Sequence, residues 1–291
     1  MRRTRRFRLP LAPWACLLLA ALASGCGGSK LEEDPWTKKD GGPPADAQTI
    51  ADTGPLPDVT PVVTDKVYAH SSSVLFEIDP NTLQVTTVGS FGWPSGYSSE
   101  QMTDIAIDEL GNMIGISFYH VFSVNKETAA CTHLAPLQAG LSGFNGLSWV
   151  EGVGADPNGK ALVGVNQSGD YYTIDPTTGQ STRIGAYGSF GSSGDLVYVR
   201  GAGTFATATS SSHSTDVLVA VNAGTGQATL IGETGFSSIW GLAYWGGEIY
   251  GFTDFGEFIN IDPASGQGTL VEATSYSFWG AGVTTTAPIV Q

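Results

Sequence analysis

Positive charge is scarce in this chain and concentrated at its start: of 13 Lys and Arg among 291 residues, five are Arg2, Arg3, Arg5, Arg6 and Arg8. The other eight stand against 27 acidic residues, an excess of about 19 negative charges. That balance excludes nucleic acid and phosphorylated ligands, whose capture depends on cationic contacts. Cysteine is nearly absent, with Cys16, Cys26 and Cys131 the only three. No Cys-x-x-Cys or His-x-x-x-His metal pair occurs, nor a Gly-x-Ser-x-Gly elbow or a phosphate loop, so no motif calls for a cofactor and catalysis has thin support. Helical spacing of apolar residues is also missing beyond Thr64, which leaves an all-β fold.

What the chain does have begins with a leader. The five arginines precede an apolar run, Leu11 to Leu22, too short to span a bilayer comfortably, and Ala23, Ser24 and Gly25 lead to Cys26. This resembles a bacterial lipoprotein signal with its lipobox, although Ala23 stands where leucine is commonest. The resemblance implies removal of residues 1–25 and acylation of Cys26, and hence a lipid-anchored protein of the bacterial cell envelope. Gly27 in place of Asp favours the outer membrane by resemblance to a bacterial sorting rule, with the chain facing the periplasm or the cell surface. Since Cys16 is discarded and Cys26 lipidated, lone Cys131 has no disulfide partner and reads as a packing residue.

Residues 26–64 form a tether. Pro35, Pro43, Pro44, Pro55, Pro57 and Pro61 lie among Asp, Gly and Ala with no apolar periodicity able to bury a core. A flexible chain of this length spans on the order of 30 to 40 Å.

Beyond the tether a segment of about a dozen residues recurs five times. Its best copy runs from Tyr172 through Ile174, Asp175, Pro176, Thr178 and Gly179 to Gly185, and its relatives are centred on Asp79, Asn125, Asn222 and Asp262, at spacings of 46, 50, 47 and 40 residues. That period indicates four-stranded blades. First strands are expected near Ile105, Leu147, Leu196 and Leu242, and second strands at Met113 to Gly115, Leu162 to Gly164, Phe205 to Thr207 and Ile249 to Gly251. The first unit begins at its second strand, Val67 to Ala69, and Phe278 to Val283 resembles the first strand Ile239 to Tyr244. The C-terminal segment is therefore predicted to complete the first blade and close a five-bladed β-propeller over residues 65–286, leaving 287–291 as a tail. Six blades is the rival count, but the additional blade would have to lie in the proline-rich tether. The region resembles bacterial exported β-propellers with Ile-Asp-Pro-x-Thr-Gly blades, most clearly at Ile78-Asp79-Pro80, at Ile174 to Gly179 and at Ile261-Asp262-Pro263 with Gly266. The copy at Asn125, Lys126 and Glu127 departs from the pattern. The resemblance implies fold only, because such propellers serve many functions.

The repeated Asp reads as a turn-former that accepts backbone N–H groups, with Gly closing the turn in the left-handed region. Asp108 to Asn112 and Asp156 to Gly159 read as hairpin turns, lacking the ligand spacing of a calcium loop.

Two loop sets emerge. Turns after first and third strands are mostly tight, whereas the loops on the opposite face are longer: Ser90 to Thr103, Pro136 to Asn145, Ala186 to Gly194, Glu233 to Trp240, Glu272 to Trp279, and Ser210 to Asp216. The long-loop face carries Glu100, Asp170, Asp216, Glu233, Asp254, Glu257 and Glu272, while Lys66, Lys126, Lys160 and Arg200 map to the other face. Variable loops on a rigid scaffold are where binding resides. Ligand contact is therefore expected around Trp93, Tyr97, His213 and Asp254, with a neutral glycan, a cationic peptide or a protein as partner. Trp240 and Trp279, equivalent in the repeat, are assigned to packing, as is His70. The competing enzyme reading places a cation near Asp104, Asp195 and Asn145 at the channel mouth, for a metal-dependent hydrolase or lyase.

Overall fold

Among the described residues, twenty strands form five four-stranded antiparallel sheets. The computed structural model describes residues 66–141, 143–154 and 159–289. The leader, Cys26, the tether and the Asp156-Pro157-Asn158 turn lie outside the described residues.

Blade 1 joins β1 (Val67–His70), β2 (Val74–Ile78) and β3 (Val85–Ser90) to the last strand, β20 (Gly280–Gly282). Blade 2 comprises β4 (Met102–Ile107), β5 (Met113–Ser117), β6 (His120–Val124) and β7 (Cys131–Pro136). Blade 3 comprises β8 (Phe144–Glu151), β9 (Lys160–Asn166), β10 (Asp170–Ile174) and β11 (Ser181–Ala186). Blade 4 is β12 (Gly191–Val199), β13 (Gly203–Thr209), β14 (Val217–Val221) and β15 (Ala228–Glu233). Blade 5 is β16 (Ile239–Trp245), β17 (Glu248–Thr253), β18 (Glu257–Ile261) and β19 (Gly268–Ala273).

The ring closes as the sequence indicates. Tyr68, Ala69 and His70 pair with Gly282, Ala281 and Gly280, and β20 lies between the inner strands β16 and β4. Closure removes the two edges that an open array would expose. Residues just past the closing strand are also held: the Pro288 carbonyl accepts the Gly246 amide at 2.8 Å, and the Tyr244 hydroxyl reaches the Ile289 carbonyl at 3.2 Å.

The repeat owes its conformation to the Asx turn. Asp79 Oδ1 accepts the Asn81 amide at 2.8 Å, Asp175 Oδ1 the Thr177 amide at 2.8 Å, and Asp262 Oδ1 the Ala264 amide at 3.0 Å. Asn125 and Asn222 do the same, so the divergent second copy makes the same turn. The turn closes on a left-handed residue, a glycine in three blades (Gly179, Gly226 and Gly266 at φ 71°, 72° and 79°) but Leu83 and Ala129 in the first two.

Packing is mainly between blades. Phe76, Phe252, Phe258 and Phe278 share a buried cluster where blades 5 and 1 meet, and Phe122, Met102 and Ile105 fill the space between blades 1 and 2. Cys131 is buried in the latter. Every blade also has a bulge between its third and fourth strands that leaves one apolar residue unpaired: Val88, Leu134, Ile184, Ile231 and Val271. These five side chains pack against the clusters.

Candidate functional site

Four inner strands carry a second bulge, at their channel-mouth ends: between Met102 and Asp104, Phe144 and Gly146, Ser192 and Leu196, and Ile239 and Gly241. These strands therefore begin several residues earlier than the apolar pattern suggests. A bulge places one residue outside the ladder and re-aims its side chain. The residues so released, Thr103, Asn145, Ser193 and Trp240, together with Trp279 just before β20, line a cavity of about 280 Å³ over the central channel. Phe118, Phe144 and Gln167 complete its wall. Trp240 and Trp279 stand edge to face, with ring centroids 6.0 Å apart and planes at 85°. The wall combines aromatic rings with hydroxyls and amides, and none of these side chains is charged. Asn145 Oδ1 is buried there without a donor.

Beneath this floor lie Asp104, Asp195 and His70, all fully buried. Asp195 Oδ1 accepts the Leu196 amide at 2.6 Å and Oδ2 the Leu242 amide at 2.8 Å, while Asp104 Oδ1 accepts the Ile105 amide at 2.8 Å. Burial, then the neighbouring Asp195 carboxylate, pushes the Asp104 carboxyl well above its ordinary range. Burial raises Asp195 as well, opposed by its hydrogen bond from Asp104 and by the surrounding amides. Burial thus drives both carboxyls toward their neutral form, and the two influence each other's titration. His70 donates Nδ1–H to the Ser71 carbonyl at 2.9 Å, which fixes the neutral tautomer with a bare Nε2 3.7 Å from Asp104 Oδ1. Burial lowers its pKa to about 4. The two aspartates of the enzyme reading lie close enough to affect each other's titration, but both are fully buried and three of their four carboxylate oxygens accept backbone amides.

Of the residues singled out from sequence, the structure brings two together. Trp93 and Tyr97 are half-buried and converge on Phe122, at ring separations of 5.0 and 5.7 Å. His213 is half-buried in the β13–β14 loop, its Nδ1 without a partner, and Asp254 accepts the Ser277 hydroxyl beside the β17–β18 turn. Among the described residues no hydrogen bond or ring contact joins His213 and Asp254 to each other or to the aromatic pair. Sequence reasoning set aside the two tryptophans that do line the cavity, because their equivalence in the repeat suited packing equally well.

The acidic face is more self-contained than its charge count suggests. Arg183 pairs with Asp170 at 2.7 Å, Glu233 Oε1 accepts hydrogen bonds from Ser214 and Thr215, and Asp216 Oδ2 accepts the Ser193 hydroxyl at 2.5 Å and the Ile239 amide at 2.8 Å. The Asp216 carboxylate thus sits behind one wall residue of the cavity and holds it. On the opposite face Lys160 pairs with Glu109, and Arg200 with Glu151 at 3.3 Å.

Five sheets closed into a ring, with a neutral aromatic cavity over the channel, define a five-bladed β-propeller with a small-molecule-sized recess on its long-loop face. No protein-family model and no curated protein matches the sequence. Among solved structures the chain is similar to one in a nidogen/laminin complex, at 11% identity over 78% of this chain and 99% of that one, with TM-score 0.46. It is similar to a protein of unknown function from Bacteroides thetaiotaomicron at 14% identity over 74% and 63%, TM-score 0.48, and to BamB from Moraxella catarrhalis at 10% over 75% and 61%, TM-score 0.36. At these identities the likeness concerns fold alone.

Proposed function

We propose that this chain is a lipid-anchored binding propeller of the bacterial envelope that takes a neutral, hydroxyl-rich ligand, a glycan unit, into the channel-mouth cavity. The observation that carries the reading is the composition of the wall: two tryptophans in a T, two phenylalanines, and Thr103, Asn145, Gln167 and Ser193 as neutral donors and acceptors. Aromatic faces pack on the apolar faces of sugar rings while amides and hydroxyls meet the hydroxyl groups. The volume falls at the small end of ligand sites, roughly 300 Å³ upward, and suits one ring rather than a long chain. A cationic peptide fits less well, because no carboxylate lines the wall and Asp216, the acid behind it, is already hydrogen-bonded. The lipid anchor is supported by the arginine-rich start, the short apolar run and Cys26.

The test is an array of neutral oligosaccharides alongside cationic peptides, probed with the purified chain and repeated with Trp279→Ala. Glycan hits that disappear in the variant support the reading. Peptide hits alone, or glycan hits indifferent to the substitution, contradict it.

A further inference from the structure

The four histidines look scattered in sequence, yet His120 and His133 meet on blade 2. Strict alternation along β6 and β7 would put them on opposite faces of the sheet. The bulge between Val121 and Phe122 shifts the pairing from His120↔Pro136 to Phe122↔His133 and so turns His133 onto the face of His120. The same diagonal in blade 3 holds Asp170 and Arg183, an ion pair at 2.7 Å, so this position brings side-chain heads together.

His133 Nε2 lies 3.2 Å from His120 Nδ1. On the outer side of the pair His120 Nε2 is 3.9 Å from Glu100 Oε1. The two inner nitrogens face each other at hydrogen-bond distance, and either ring can carry the proton between them. A metal ion that displaces this proton would take a lone pair from each ring. Tyr97 stacks on His133 with centroids 4.4 Å apart and planes at 18°, and stands edge-on to His120 at 5.0 Å, which fixes both rings.

Two nitrogens on a tetrahedral metal with bonds of about 2.0–2.1 Å lie about 3.3 Å apart, close to the spacing observed here. A carboxylate or carbonyl behind each ligating imidazole is the usual outer support of such sites. Among the described residues no three His, Cys, Asp or Glu side chains are arranged as a metal cage, so two imidazoles would supply the protein ligands and water the rest. We propose that His120 Nδ1 and His133 Nε2 bind a late first-row divalent metal ion, Cu²⁺ most tightly and Ni²⁺ and Zn²⁺ less so. Imidazole favours these ions, whereas Mg²⁺ and Ca²⁺ require oxygen ligands. The site lies on the outer strands of blade 2 and is independent of the glycan reading.

The test uses the purified chain stripped with EDTA and titrated calorimetrically with Cu²⁺, Ni²⁺, Zn²⁺ and Mg²⁺. One ion per chain is expected, at micromolar affinity for Cu²⁺, with two nitrogen ligands in its electron paramagnetic resonance spectrum and no response to Mg²⁺. His120→Gln and His133→Gln, checked for an unchanged fold by circular dichroism, should each weaken Cu²⁺ at least tenfold. Glu100→Gln, which leaves both ligands in place, should weaken it by about tenfold. No uptake of Cu²⁺, or uptake that survives both histidine substitutions unchanged, overturns the proposal.

Discussion

Asp104 and Asp195 come from inner strands two blades apart, both fully buried and each affecting the other's titration, with Gly146 of the intervening blade packed against Asp195. A Cβ on Gly146 would stand 2.7 Å from the Gly194 carbonyl oxygen, so glycine is what lets the blades approach here. Through its two carboxylate oxygens Asp195 ties blade 4 to blade 5 at the channel axis.

The pair makes stability depend on pH. Both carboxyls have folded pKa values above the ordinary 3.8, so on raising the pH the unfolded chain loses its protons first. The contribution is complete below that value and is lost as the pH rises through the folded pKa values. His70 acts in the opposite sense: with a folded value of about 4 against 6.5, it favours the folded state above 6.5 and loses that contribution as the pH falls toward 4. Between these limits the two slopes oppose each other, and above pH 6.5 His70 no longer opposes the aspartates. Urea midpoints should therefore fall from pH 6.5 to pH 9. Asp104→Asn, which cannot ionise, should flatten that fall, and a slope unchanged in the variant would contradict the raised Asp104 pKa.

Gly280 marks the tightest point of the closing strand. An added Cβ would meet Asp104 Oδ1 and His70 Nε2, both at 2.3 Å. Overpacking of this kind costs about 1–3 kcal/mol. Gly280→Ala should show that loss in chemical denaturation, and truncation after Thr274 should abolish the cooperative transition of the whole ring instead of fraying one blade.

Trp93 has the contacts of a packing residue, edge-on to Phe122 and 5.6 Å from Phe91. Its truncation to Ala is predicted to destabilise the fold by about 1–3 kcal/mol, less than the 3–5 kcal/mol of a fully buried aromatic because it is half exposed. A melting temperature equal to that of the parent chain would contradict a packing role and favour the ligand contact expected from the sequence.

Cys131 is buried and its thiol is pushed up to about 12 by burial. Since the thiolate is the reactive form, an aromatic disulfide reagent should label it only after unfolding. Rapid labelling of the native chain would show that the interface between blades 1 and 2 opens.

If Cys26 carries lipid, Cys26→Ser should move the protein from the membrane to the soluble fraction or block its processing. Unchanged membrane partition would remove the anchor from the proposal.

Blade count and ring closure were legible because Asx turns leave a periodic trace, and because Phe278-Trp279-Gly280 repeats Ile239-Trp240-Gly241. The site was less legible. Bulges carry no consistent residue signature: the inner-strand bulge holds Thr103 in one blade, Asn145 in another and Trp240 in a third. Where a bulge changes the parity of a strand, alternation misassigns the face, as it does for His133 relative to His120. The tryptophan pair did leave a trace, since two large aromatics preceding Gly241 and Gly280 at the channel end of inner strands exceed what closure alone requires.

The central claim is that ligand enters the channel mouth between Trp240 and Trp279. Its most direct test is calorimetric titration of the best array glycan into the parent chain, Trp279→Ala, and Lys160→Ala on the opposite face. The account predicts that Trp279→Ala weakens binding at least roughly tenfold, the loss expected of a central aromatic anchor worth about 2 kcal/mol, while Lys160→Ala binds as the parent does. Equal affinity in Trp279→Ala, or loss of binding confined to Lys160→Ala, would contradict it.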